Sequence, residues 1–115
     1  MHKIKDKDKD SEIVRIKNII MKVLNENGLR DARIILFGSR AKGDFKTHSD
    51  WDFLIVLREQ LEIKEKWDLA HKIRKALADI YIPCDVIISS EEELEKRKNV
   101  IGSVIRSAVK TGVIL

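Results

Sequence analysis

The chain has 115 residues, of which 43% are hydrophobic and 37% charged, with a formal net charge of +4 and a pI near 9.2. This length is typical of one domain with its own core, and we expect no second domain within it. The single cysteine excludes an intrachain disulfide bond, and no run approaches the ~20 apolar residues of a membrane span.

The first ten residues, MHKIKDKDKD, lack the apolar centre of a signal peptide. We expect 1–10 to be a flexible charged tail, 11–115 to be a single domain, and the protein to be cytoplasmic. Only 5% of the residues are aromatic, and they lie mainly in apolar segments instead of among basic residues. We therefore expect neither a membrane nor a nucleic acid as partner.

Hydrophobic periodicity predicts helices that alternate with short strands. The first helix begins at Asp10 or Ser11 and ends at Asn27-Gly28. A β-branched run at 33–37 predicts a buried strand that leads into Gly38, and one helical turn begins at Ser39. A second strand is expected at 50–57.

The second half of the chain continues the alternation. A helix over 60–79 is expected to turn five side chains inward, namely Ile63, Trp67, Ala70, Ile73 and Leu77. A third strand covers 84–88. A last helix is capped by Ser89 or Ser90 and closes at Gly112, and its apolar face is expected to include Leu94, Ile101, Val104, Ile105 and Ala108. The order is αβαβαβα, which indicates an α/β (α+β) fold.

The second strand carries two acidic residues at its start. Alternation places Asp50, Asp52, Leu54 and Val56 on one face and Trp51, Phe53, Ile55 and Leu57 on the other, so the strand is expected to be central in its sheet. Asp50 and Asp52 lie on the same side with Cα atoms about 7 Å apart. Such a pair can bind hard cations such as Mg²⁺ together with substrate phosphates.

Two further features point to phosphate chemistry. Gly38-Ser39 joins a strand to a helical turn, where a glycine lets an anion approach the backbone and free N–H groups attract it. Arg40, Lys42 and Lys46 follow and are candidates for neutralising phosphate charge. Asp85 is a charged residue at the start of an apolar strand, and it joins Asp50 and Asp52 if its strand lies beside theirs. Phosphoryl or nucleotidyl transfer needs both a phosphate-binding turn and carboxylates.

Gly38-Ser39-Arg40 is followed by Asp50-Trp51-Asp52-Phe53, with ten residues between Ser39 and Asp50. This pattern resembles that of the minimal nucleotidyltransferases (MNT) of the polymerase-β-like superfamily. Asp85 matches their third aspartate. The resemblance covers about 10–112 and implies a mixed sheet of three or more strands flanked by helices. It implies Gly38 and Ser39 on the triphosphate, Asp50 and Asp52 on two Mg²⁺ ions, and Asp85 as third ligand and base.

The chain also resembles the MntA-type antitoxins encoded beside HEPN-domain toxins, some of which transfer AMP to a tyrosine of the toxin. The resemblance therefore implies an enzyme that moves AMP from ATP to a hydroxyl on a HEPN-domain partner. Two alternatives stay open. The first is a non-catalytic nucleotide-binding or toxin-neutralising module, and the second is a dimeric transferase for small molecules such as antibiotics. We expect the acceptor site to be shared with a partner chain, with a second copy of this chain or with a large acceptor molecule.

Overall fold

The computed structural model describes residues 2–3, 11–42 and 50–115, which form one five-stranded mixed sheet with helices on both faces. The strands are β1 (His2–Lys3), β2 (Arg33–Phe37), β3 (Trp51–Leu57), β4 (Cys84–Ser90) and β5 (Val113–Ile114). The helices are α1 (Ser11–Glu26), α2 (Ser39–Lys42), α3 (Ile63–Ala78), α4 (Glu91–Arg97) and α5 (Val104–Thr111). The predicted fold class is confirmed. Within the predicted tail at 1–10, His2–Lys3 form β1, and the other residues of the tail lie outside the described ranges.

The sheet has the strand order β1-β5-β2-β3-β4. β3 is central, as predicted, because it pairs antiparallel with β2 on one side and parallel with β4 on the other. Phe37 at the end of β2 is the register partner of Asp52, and Asp85 near the start of β4 is its partner on the other side. The sheet therefore brings the end of β2 and the starts of β3 and β4 to one edge.

Two hydrophobic clusters cover the two faces of the sheet. α1 and α3 pack over Trp51, Phe53, Ile55 and Leu57, which are all buried. Leu94 of α4 and two residues of α5 pack over Leu54 and Val56 on the opposite face. The predicted alternation along β3 is confirmed, and it assigns Asp52 to the face that α4 and α5 cover.

The predicted helix over 60–79 is shorter than expected, and two of the residues predicted to face inward are exposed. α3 buries Ala70, Ile73 and Leu77 as predicted, but Ile63 is 65% exposed and Trp67 is 71% exposed. The prediction that these two point into the core is therefore wrong. Trp67 lies beside β4, which is the last strand on that side of the sheet in the described part of the chain.

The predicted C-terminal helix is two helices and a strand. A turn separates α4 from α5, with Gly102 at φ +84°, a value that glycine adopts without steric strain. Ser90 caps α4 through Glu93 N–H, and Ser103 caps α5 through Arg106 N–H. Because the chain turns here, Ile101 is 84% exposed and Val104 is half exposed, although both were expected to face inward. The two-residue strand β5 after Gly112 was not predicted.

None of the helices in the described part of the chain is both long enough and apolar enough to cross a lipid bilayer.

Candidate functional site

Gly38 follows the last residue of β2 and lies directly against the carboxylate of Asp52. Its φ is +76°, in the left-handed region that favours glycine. A Cβ at this position would lie 2.3 Å from Asp52 Oδ2, closer than two atoms can approach without bonding. α2 begins at the next residue, Ser39, and Ala41 N–H donates to the Gly38 carbonyl at 3.2 Å. The backbone of the Gly38-Ser39 turn therefore lies beside an acidic side chain, as the sequence motif predicts.

Asp85 lies next to Asp52 on the other side. β3 and β4 are parallel, and the pairing of Asp52 with Asp85 puts both side chains on the same face of the sheet. Neighbouring strands are about 5 Å apart, so the two carboxylates are close neighbours. Trp51 N–H also donates to the Pro83 carbonyl at 3.1 Å, which fixes the register at the start of both strands.

Asp50 precedes β3 by one residue and is exposed at the same edge. The pKa of Asp52 is raised above its ordinary value by burial and by two negative charges, one of which is that of Asp50. Burial is the largest cause, followed by the negative charges of Asp85 and then Asp50. The structure therefore brings together all three carboxylates that the sequence selected.

The three carboxylates do not enclose a cation by themselves. Within 2–3, 11–42 and 50–115, no three carboxylate, imidazole or thiol groups are arranged as a complete metal-binding group. This arrangement still suits Mg²⁺, which is held in proteins by one or two carboxylates together with waters and substrate phosphates. The negative charges of Asp85 and Asp50, which add to the effect of burial on the pKa of Asp52, would also attract a divalent cation.

Cys84, next to Asp85, is a half-buried thiol in this acidic environment. Its pKa is raised to about 11, first by burial, with Arg74 opposing the shift and the carboxylates of Asp85, Asp50 and Asp52 adding to it. The thiol therefore stays protonated at neutral pH and is a poor nucleophile. We assign it no part in the chemistry.

The cations predicted to bind phosphate lie in different places. The Arg40 guanidinium stacks over the Trp51 ring at 4.6 Å from the centroid, on the face of the sheet opposite Asp52. Lys42 is the last residue of α2, and its side chain lies outside the described part of the structure, as does all of Lys46. The predicted contacts of Arg40 and Lys42 with a nucleotide remain predictions.

A cleft of about 520 Å³ adjoins the Gly38-Asp52 contact. It lies between the end of β2, at Phe37 and Gly38, and α5, and its lining includes Arg106, Ser107 and Lys110. None of these three residues was among the candidates predicted from the sequence. The signal was the spacing of Arg106 and Lys110, four residues apart and hence on one side of a helix.

The family model for the nucleotidyltransferase domain matches residues 16–114 of this chain. A protein of Methanocaldococcus jannaschii, named as a proposed protein adenylyltransferase, is 42% identical over 57 residues, which are 50% of this chain and 54% of that protein. The chain thus spans about half the length of this curated relative.

Two solved structures share the fold. A chain of the toxin–antitoxin MntA–HpeT is 27% identical with a TM-score of 0.55, over 86% of this chain and 70% of that one. A chain of the complex between the tri-AMPylated HEPN toxin of Shewanella oneidensis and its MNT antitoxin is 24% identical with a TM-score of 0.51, over 86% and 67%. Together with the family match over nearly the whole length, the carboxylates around the Gly38-Ser39 turn lead to one conclusion: the chain belongs to the nucleotidyltransferase domain family.

Proposed function

We propose that this protein transfers AMP from ATP to a hydroxyl group of a partner protein, in a Mg²⁺-dependent reaction. The observation that carries the proposal is the meeting of Asp50, Asp52 and Asp85 at the sheet edge where the backbone at Gly38, which has no Cβ, lies against Asp52. The choice of AMP and of a protein acceptor is supported by the name of the Methanocaldococcus jannaschii relative and by the AMPylated toxin bound to an MNT antitoxin.

In this proposal Asp50 and Asp52 hold two Mg²⁺ ions, with Asp85 as a third ligand. The bound ions would neutralise charge on the triphosphate and stabilise the attacking and leaving oxygens. Gly38 and Ser39 bind the triphosphate through backbone N–H groups and the Ser39 hydroxyl, at the start of α2. Gly38 is needed because any side chain there would occupy the space next to Asp52 Oδ2.

The chemical step needs a proton acceptor close to the attacking hydroxyl. The acceptor oxygen forms a bond to the α-phosphorus of ATP, and the bond between that phosphorus and the bridging oxygen of pyrophosphate breaks. Asp85 accepts the proton of the acceptor hydroxyl, and pyrophosphate leaves with the electron pair. Asp85 suits this role because it is the more exposed of the two paired carboxylates on β3 and β4.

We further propose that the protein acceptor is a HEPN-domain toxin, which would make this chain its antitoxin. The likeness to a chain of the toxin–antitoxin MntA–HpeT supports this proposal. The exposed Trp67 of α3 is also suited to protein contact, since a large aromatic side chain in solvent is a common anchor in interfaces.

Label transfer tests the proposal directly. The protein is incubated with Mg²⁺ and each labelled nucleoside triphosphate, with and without the product of the neighbouring gene, beside an Asp50→Asn control. We expect label from ATP on a tyrosine of the partner, and none with Asp50→Asn or with EDTA. Label from another triphosphate would correct the base, and label on RNA or on a small molecule would correct the acceptor.

Neutralisation by contact alone is the second candidate, and the exposed Trp67 is the observation that favours it. Here the partner's toxicity would be suppressed equally well by the wild type and by Asp50→Asn, with no label transferred in either case. Trp67→Ala would then abolish suppression of toxicity. If suppression depends instead on AMP transfer, Asp50→Asn would abolish it.

A further inference from the structure

The cleft at α5 continues the carboxylate site on the side away from Asp85. In the sheet, Asp52 lies between the end of β2 and the start of β4. Gly38, at the β2 side, contacts Asp52 and also lines the cleft. α5 covers the same face of the sheet that Asp52 occupies, because Ile105 and Ala108 pack with Leu54 and Val56. The cleft and the carboxylates therefore form one continuous surface.

The charge of this cleft is opposite to that of the carboxylate edge. Its lining includes two cations, Arg106 and Lys110, and the hydroxyl residues Ser103, Ser107 and Thr111, with no acidic residue among the described residues that line it. The Arg106 side chain is half-buried. Such a surface favours an anion that can accept several hydrogen bonds, and a guanidinium binds phosphate oxygens in a bidentate manner.

We propose that this cleft binds the β- and γ-phosphates of the nucleoside triphosphate, with Arg106 as their main ligand and Lys110 as the second. The inference rests on the proposed function, because in an in-line displacement the leaving pyrophosphate points away from the attacking hydroxyl. With Asp85 taking the proton on the β4 side, the pyrophosphate lies on the β2 side, where Gly38 opens into the cleft. Arg106 and Lys110 stabilise the charge that accumulates on the pyrophosphate as the bond breaks.

Binding of Mg²⁺-tripolyphosphate, Mg²⁺-ATP and AMP by calorimetry tests the inference without measuring transfer. The variants are Arg106→Gln and Lys110→Gln. The matched controls are Arg15→Gln and Lys22→Gln, which replace exposed cations of α1 on the other side of the sheet. We expect Arg106→Gln to weaken tripolyphosphate and ATP by about tenfold or more, Lys110→Gln to weaken them less, and both to leave AMP unchanged. The two controls should bind all three ligands as the wild type does.

The outcomes separate this inference from the proposed function. Wild-type affinity of Arg106→Gln and Lys110→Gln for tripolyphosphate and ATP would overturn the inference and leave the transfer reaction standing. Tripolyphosphate binding that depends on Arg106, without label transfer to any acceptor, would support the cleft and overturn the transferase. An equal loss in the α1 controls would show a general charge effect and overturn the inference.

Discussion

At Gly38 and Gly28 the chain offers a matched pair of glycines. Both have a positive φ, +76° and +73°, but a Cβ at Gly38 would meet Asp52 Oδ2 at 2.3 Å, whereas a Cβ at Gly28 would meet nothing within 4 Å. We expect Gly28→Ala to lower the free energy of unfolding only by the cost of backbone strain, about 1–2 kcal/mol. Gly38→Ala should lower the free energy of unfolding by more than this. It should also abolish Mg²⁺-ATP binding, because Asp52 must move to make room for the Cβ.

Urea unfolding and calorimetric titration of ATP check this prediction on both variants. Equal losses of stability for the two alanines would show that the contact with Asp52 is not what requires glycine at position 38. So would a Gly38→Ala protein that binds ATP as the wild type does.

Asp52 should make the metal-free protein less stable as the pH rises. Its folded-state pKa is raised by burial, Asp85 and Asp50, so folding favours the protonated form. The stability from this group is complete below the unfolded pKa of about 4 and is lost as the pH rises through the folded pKa. At pH 7, Asp52→Asn should therefore melt a few degrees higher than the wild type without metal, and the gap should close toward pH 4.

The same variant should gain no stability from Mg²⁺-ATP, whereas the wild type should be stabilised by mass action if it binds this ligand as proposed. Thermal melts from pH 4 to pH 8, with and without Mg²⁺-ATP, measure both effects. The metal site would be misassigned if Asp52→Asn melted lower than the wild type at pH 7 and still gained stability from Mg²⁺-ATP.

The carboxylates could be found from the sequence, whereas the position of the basic cleft beside them could not. Asp50 and Asp52 stand out because two charges begin an otherwise apolar strand, and Asp85 because it repeats this feature. Arg106 and Lys110 look like ordinary surface charges in the sequence. They approach Gly38 only because α5 folds back over the sheet, which depends on tertiary packing rather than on local pattern.

At the scale of elements, periodicity gives the right answer where an element packs along its whole length. β2 has the predicted bounds, and Ala70, Ile73 and Leu77 of α3 are buried as expected. Periodicity fails at Trp67, where the helix passes the edge of the sheet. It also misses the break between α4 and α5, since the apolar spacing continues through a turn that Gly102 and the Ser103 cap create.

The chain passes close to the sheet at Gly112, the join between α5 and β5. A Cβ at Gly112 would lie 2.3 Å from the Ala108 carbonyl oxygen and 2.5 Å from Ile35 Cγ2. We expect Gly112→Ala to move α5 away from β2 and to lower the free energy of unfolding by about 1–3 kcal/mol. Urea unfolding measures the loss, and an unchanged midpoint would show that α5 can shift without cost.

At the scale of the whole molecule, both hydrophobic clusters share one sheet, so we expect them to unfold together. Trp51 is buried under α1 and α3, while Trp67 is exposed and can be replaced without disturbing the core. In a Trp67→Phe protein, urea unfolding followed by Trp51 fluorescence should coincide with unfolding followed by far-UV circular dichroism. Loss of Trp51 fluorescence at clearly lower urea would instead mean that the two faces unfold separately.

The direction of β3 and β4 puts the carboxylate site and the far ends of these strands at different parts of the surface. Both strands start at the carboxylates and run away from them, whereas most open α/β sheets bind ligands at the carboxyl ends of their strands. The connection that leaves β3, at 58–62, therefore begins roughly 20 Å from Asp52, because the six strand residues 52–57 separate them at about 3.3 Å per residue. A reporter peptide inserted after the exposed Glu59 should be tolerated without blocking substrate, while a longer turn at 79–83 would reshape the entrance for the acceptor.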